Sequence, residues 1–161
     1  MAAAVLSMPP AGPSFAQVPG DLLRGCGNWV FHPDLVIEEG PEPAVELACA
    51  DSLGFIVVCV LGDFIAGLRY YGPPSSLGED AGYQQFRFTA GERSIDMYLR
   101  FEGLDAAWAT YTEFEHPLFS AIREEAGPIR VTHVASGESA SLPLRGSARA
   151  FAALRTACEA L

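Results

Sequence analysis

The sequence predicts a mainly β fold, an antiparallel β-sandwich or open barrel of about seven to nine strands with two short helices in the C-terminal third. Three observations carry that expectation. Short stretches of alternating apolar and polar residues recur along the chain, the pattern of strands with one buried and one wet face. Breakers separate them, drawn from 16 glycines and 12 prolines. Near the end the period changes: Phe151, Leu154, Cys158 and Leu161 fall on one face of a helix.

Taken in order, residues 1–17 read as an export signal or alanine- and proline-rich leader. An apolar run is broken by Pro9, Pro10 and Pro13, and Ser14-Phe15-Ala16 places small residues before a cut at Gln17. Residues 18–161 then form a single disulfide-stapled β-domain. An irregular entry containing Pro19, Gly20, Gly25 and Gly27 leads into a first strand at Trp29, interrupted by Pro33-Asp34 and resumed at Val36-Ile37. The acidic stretch from Glu38 to Pro43 is expected as a turn. Residues 44–50 and 55–61 make a hairpin about Asp51-Ser52-Leu53-Gly54. Its second arm is apolar on both faces, as a central strand covered on both sides should be.

Gly62-Asp63 turns the chain into a strand at 64–71, and the loop at 72–80 is too rich in breakers for a regular element. Residues 84–89 and 94–101 alternate strictly, with Phe86, Phe88, Ile95, Met97, Leu99 and Phe101 on the dry side. A short strand follows at 107–111. Proline suits the first turn of a helix from Pro117 to about Ala126, with Phe119, Ile122 and Ala126 as its stripe and Gly127-Pro128 as its stop. Strands at 129–132 and 140–144 flank the Ser136-Gly137 turn, and Gly146-Ser147 opens the last helix with Ser147 as its cap.

The net charge of -10 comes from 20 acidic and 10 basic residues, all ten of them arginine. An acidic surface without a basic cluster repels phosphate backbones, so no nucleic-acid partner and no anionic membrane surface are expected. No stretch has the 18 or so continuous apolar residues of a membrane span, so the mature chain is not expected to insert into a membrane. Four cysteines, Cys26, Cys49, Cys59 and Cys158, suit an exported protein with two disulfides. Cys49 beside a turn and Cys59 well along the returning strand are about 10 Å apart or more, too far to bridge. Cys26 and Cys158 therefore each take one of them. The preferred pairing is Cys26 with Cys49 and Cys59 with Cys158, which pins the last helix to a central strand.

The helix Pro-Leu-Phe-Ser-Ala-Ile-Arg, the strand hairpin after it, and Ser-Leu-Pro-Leu-Arg-Gly-Ser-Ala-Arg-Ala-Phe-Ala-Ala-Leu with its terminal cysteine resemble the C-terminal half of the invasion-associated locus B family. That family comprises small exported β-proteins of proteobacteria. The resemblance covers residues 117–158 best, with Gly27-Asn28-Trp29 as a counterpart of a tryptophan-bearing first strand. It implies a periplasmic or secreted β-sandwich without catalytic residues, acting at the envelope or a host surface.

Candidate chemistry is sparse. His32 and Asp34 with His116 and His133 are the histidine and carboxylate set available to a metal or general base, but they are distant in sequence and suit turns and caps. Ser136 lacks the strained elbow of a hydrolase nucleophile. Glu38, Glu39, Glu42 and Glu46 lack the spacing of a calcium loop. Arg145-Gly146-Ser147 is a generic anion site at most. No catalytic residue, metal or cofactor is expected. The stretch that suits binding is Tyr70-Tyr71 beside Pro73-Pro74, aromatic area on a stiff loop. The expected function is a non-enzymatic binding or structural module acting on an unknown protein partner. The rival expectation is an acidic periplasmic inhibitor of a basic enzyme such as a lysozyme.

Overall fold

The computed structural model describes residues 26–37, 40–50, 53–60, 65–74 and 79–161. The expected leader at 1–17, most of the expected entry segment, Glu38-Glu39, residues 51–52 and 61–64, and residues 75–78 lie outside the described residues.

The described residues form nine strands and two helices. The strands are β1 (Val30–Val36), β2 (Pro41–Ala48), β3 (Gly54–Val60), β4 (Ile65–Tyr71), β5 (Tyr83–Ala90), β6 (Arg93–Glu102), β7 (Ala107–Glu113), β8 (Ile129–His133) and β9 (Ser139–Leu142). The helices are α1 (Pro117–Glu124) and α2 (Ser147–Glu159). All nine strands join one antiparallel sheet, in the order β1-β2-β3-β4-β7-β6-β5-β8-β9. The sheet curls into a half-barrel, which is the open-barrel form of the expected fold.

The register sorts the side chains onto two faces. Val45, Val57 and Leu68 lie opposite one another, as do Leu47, Phe55, Tyr70 and Trp108. Phe88 and Val131 continue that dry face into the other half of the sheet. The concave side is covered by α2, which packs on β1, β2 and β3, and by α1, which packs on α2, β5 and β6. Trp29, Phe55, Phe119 and Phe151 interlock there, with Phe151 5.5 Å from Trp29 and 5.8 Å from Phe119 between ring centroids. Each such buried side chain contributes roughly 1.5–3 kcal/mol.

The two ends of the sheet approach each other at a seam. Trp29 Nε1–H donates to the Pro143 carbonyl oxygen at 2.9 Å, and the Trp29 backbone N–H donates to Arg145 O at 3.0 Å. Both disulfides of the preferred pairing are present, Cys26–Cys49 and Cys59–Cys158, and no cysteine is free. Paired cysteines of this kind belong to an oxidising, extracytoplasmic environment. No helix among the described residues is long and apolar enough to cross a membrane.

Several local expectations shift. β1 runs unbroken through Pro33-Asp34 by means of a register shift between His32 and Leu35. β2 begins at Pro41, where a turn was expected, because Pro41 and Pro43 lie ahead of the first β3 pairing at Ala44. A proline there removes no bond of the β2–β3 ladder. α1 ends at Glu124, leaving Ala126 exposed, and Leu161 lies beyond the end of α2 and is likewise exposed. Ser147 is not a cap. Gly146 takes the N-cap position at φ 87, a conformation that favours glycine, while the buried Ser147 hydroxyl donates to Ile122 O at 2.6 Å and ties α2 to α1.

Candidate functional site

The four residues expected as a contact surface divide between core and surface. Tyr70 and Tyr71 are consecutive in β4, so they face opposite sides of the sheet. Tyr70 is fully buried against Phe55 and Phe86 and is a core residue, which corrects the expectation that it offers contact area. Its ring reaches the backbone of Gly72, and among the described residues its hydroxyl has no hydrogen-bond partner. Burial raises its pKa well above the usual tyrosine value, with a smaller contribution from Glu138. Pro74 is also buried: its carbonyl oxygen accepts from Trp108 Nε1–H at 3.0 Å. Pro73 and Tyr71 keep partial exposure.

Tyr71 belongs to the convex face, and there it lines two adjoining hollows of about 400 and 350 Å³. They share Ile56, Tyr71 and Asp105. Ala48, Leu53 and Glu46 border one, and Leu35, Val36 and Ile37 border the other. The register explains the assembly. Glu46, Ile56, Arg69 and Ala109 are paired in sequence across β2, β3, β4 and β7, so their side chains share the convex side. The β6–β7 turn then brings Asp105 in. Ala106 in that turn takes φ 50, which costs a non-glycine residue roughly 1–2 kcal/mol.

Arg69 is the charge at the base of this arrangement, 6% exposed in the middle of the sheet. Its Nε lies 3.2 Å from Asp105 Oδ2 and its Nη2 lies 3.7 Å from Glu102 Oε2. A buried cation loses several kcal/mol of hydration, and the two carboxylates offset that loss. His32 Nε2 stands 3.1 Å from Glu46 Oε2 at the β1 side. Burial raises the Tyr71 pKa; Arg69 opposes the shift, while Asp105, Glu46 and Glu102 add to it. Asp105 Oδ2 is buried against the Arg69 guanidinium. The result is an apolar cleft with carboxylates on its walls, suited to holding an apolar group with a hydrogen-bond donor or cation beside it.

The histidines do not converge. His32 meets Glu46, and His116 caps α1, its Nδ1 accepting the Leu118 N–H at 3.2 Å. His133 is buried beside Phe86 and Trp108. His133 Nδ1 does lie 2.8 Å from Ser136 Oγ, and Ser136 Oγ–H donates to Glu138 Oε2 at 3.0 Å. Glu138 N–H returns a bond to the same hydroxyl, so the cluster closes the β8–β9 hairpin. Of the acidic run, Glu42 and Glu46 sit on β2, and Glu38 and Glu39 lie outside the described residues. Arg145, from the anion-site expectation, is held by its Nε–H donating to Asn28 Oδ1.

Arg69, Glu102 and Asp105 escaped the sequence reading. One signal was present: an arginine inside the otherwise uncharged strand 64–71. No family model, curated protein or solved structure matches the chain.

Proposed function

We propose that the chain is an exported, non-enzymatic binding module of the bacterial envelope or cell exterior, periplasmic or secreted, acting through protein–protein contacts at the Tyr71 cleft. The observation that carries this reading is the cleft itself: an apolar lining of Ile56, Leu53 and Tyr71 beside the Asp105 carboxylate, which the Arg69 guanidinium holds at 3.2 Å. Recognition surfaces combine apolar anchors with a few fixed polar groups in this way. The two disulfides and the resemblance of residues 117–158 to the invasion-associated locus B family support the setting. The test is photocrosslinking in the native envelope from a reactive residue at position 71, against the same residue at exposed position 134. Partners captured from 71 alone support the cleft; equal capture from both positions, or none from 71, sinks it.

A second reading is an acidic inhibitor of a basic enzyme such as a lysozyme. The net charge of -10 and the carboxylates of Glu46 and Asp105 at the cleft favour it. Electrostatic steering would make the association rate fall steeply as salt shortens the Debye length to about 8 Å at physiological ionic strength. An association rate that ignores salt counts against the inhibitor reading and leaves the first untouched.

A further inference from the structure

On the opposite side of the sheet edge a second groove has a different chemistry. Among the described residues β1 is the terminal strand of the sheet, paired by β2 on one side. The Trp29 N–H points away from β2 to reach Arg145 O, and the alternation of a strand directs the Phe31 N–H and C=O to the same open side. Between that edge and the flank of α2 lies a cavity of about 460 Å³, lined by Trp29, Phe31, Gly146, Arg149, Ala150 and Ala153. Its helical wall is built of small side chains, which leaves the space open. Arg149 stands in that lining, exposed, and among the described residues it has neither an ion pair nor a hydrogen bond.

An edge strand, an apolar pocket beside it and a lone guanidinium make a docking place for an extended peptide added as a strand. We propose that this groove captures the C-terminal end of a partner protein. The last residues of that partner extend the sheet at Phe31, an apolar side chain fills the cavity over Trp29 and Ala153, and the terminal carboxylate meets Arg149. The choice of a chain end rests on two observations. Pro33, the next residue of the edge facing outward, has no N–H to donate, so the open run is too short for a long added strand. Arg149, the one cation among the described residues lining the groove, also calls for one anion at a fixed place. The acidity of the whole chain does not forbid this, because charges more than about 8–10 Å away are screened at physiological ionic strength and Arg149 sets the local potential.

The proposal does not depend on the Tyr71 cleft and is tested separately from it. Random peptides displayed with free C-termini are selected against the full disulfide-bonded protein, and the selected sequence is synthesised as free acid and as amide. Fluorescence anisotropy should give the amide at least about tenfold weaker binding than the acid, which is about 1.4 kcal/mol. Arg149→Gln, at an exposed position, should weaken the acid by a similar factor and leave the amide unchanged. Ala153→Trp should fill the cavity and abolish binding of both, with thermal unfolding as the check that it folds. The bound acid should slow hydrogen exchange at the Phe31 amide. Tyr71→Ala should alter none of these readings. Failure to select any carboxylate-dependent binder, equal affinity of acid and amide, or unprotected Phe31 overturns the proposal.

Discussion

Removing the Cys59–Cys158 bond tests the claim that the C-terminal helix is tied covalently to the sheet. The two cysteines are 99 residues apart, against 23 for Cys26–Cys49. Loop-closure entropy then assigns about 4.7 kcal/mol to the longer loop and about 3.4 kcal/mol to the shorter. At roughly 2–4 °C per kcal/mol for a chain near this size, Cys59→Ala/Cys158→Ala should lower the unfolding midpoint by roughly 10–20 °C. The helix should stay docked at low temperature, since Phe151 and Leu154 remain buried and contribute roughly 1.5–3 kcal/mol each. Circular dichroism of the oxidised variant, followed with temperature, reads both quantities. The reduced wild-type chain keeps every sulfur atom in place, so it separates loss of the bond from loss of the atom; lacking both bonds, it should unfold lower still. A fall of less than about 1 kcal/mol, or one smaller than that of Cys26→Ala/Cys49→Ala, refutes the reasoning from loop length.

Other perturbations reach single contacts. In Gly72→Ala the new methyl would come within 2.3 Å of the buried Tyr70 ring, so a loss of about 1–3 kcal/mol is expected in urea unfolding; an unchanged midpoint would place that ring elsewhere. Ser147→Ala removes the donor to Ile122 O and should cost about 1–2 kcal/mol, while a threonine that keeps the hydroxyl should lose less. Burial lowers the His116 pKa, opposed by Glu113, and the neutral ring accepts the Leu118 N–H. The unfolded chain therefore takes up this proton first, at about pH 6.5. The contribution is complete above that value and is lost as pH falls from it through the lower folded value. His116→Asn keeps a capping side chain and should flatten that part of the stability profile; an unaltered slope would assign it to other groups.

The strands were legible because the buried face imposes a period of two, and Phe86, Phe88, Met97 and Leu99 obey it strictly. Of the disulfide pairing, the exclusion of Cys49–Cys59 was legible, because the 44–61 hairpin sets those two cysteines apart; the choice between the two remaining pairings was a preference for pinning the last helix to a central strand, and that pairing is present. The Tyr71 cleft was only half legible. Its residues come from β2, β3, β4 and the turn after β6, and they meet through strand order, which local pattern does not specify. That β4 lies beside β7 rather than β5 decides that Asp105 reaches Arg69. Tyr70 is a different case. A strand at 64–71 already implies that Tyr70 and Tyr71 cannot share a face, so the period of two contained the correction. Ser147 had the composition of a cap, and tertiary packing took its hydroxyl for Ile122 instead.

The strand order also divides the molecule in a way that bears on proteolysis. β1 to β4 form one run of neighbours and β5 to β9 complete another, and the two runs touch within the sheet only along the β4–β7 ladder. A single cut between Tyr71 and Tyr83 breaks no ladder. It would leave two fragments, each with its own hairpins, joined by that one ladder, by α2 lying on β1, β2 and β3, and by the Cys59–Cys158 bond. On a denaturing gel a nicked form of this protein would therefore migrate as one species without reductant and as two with it.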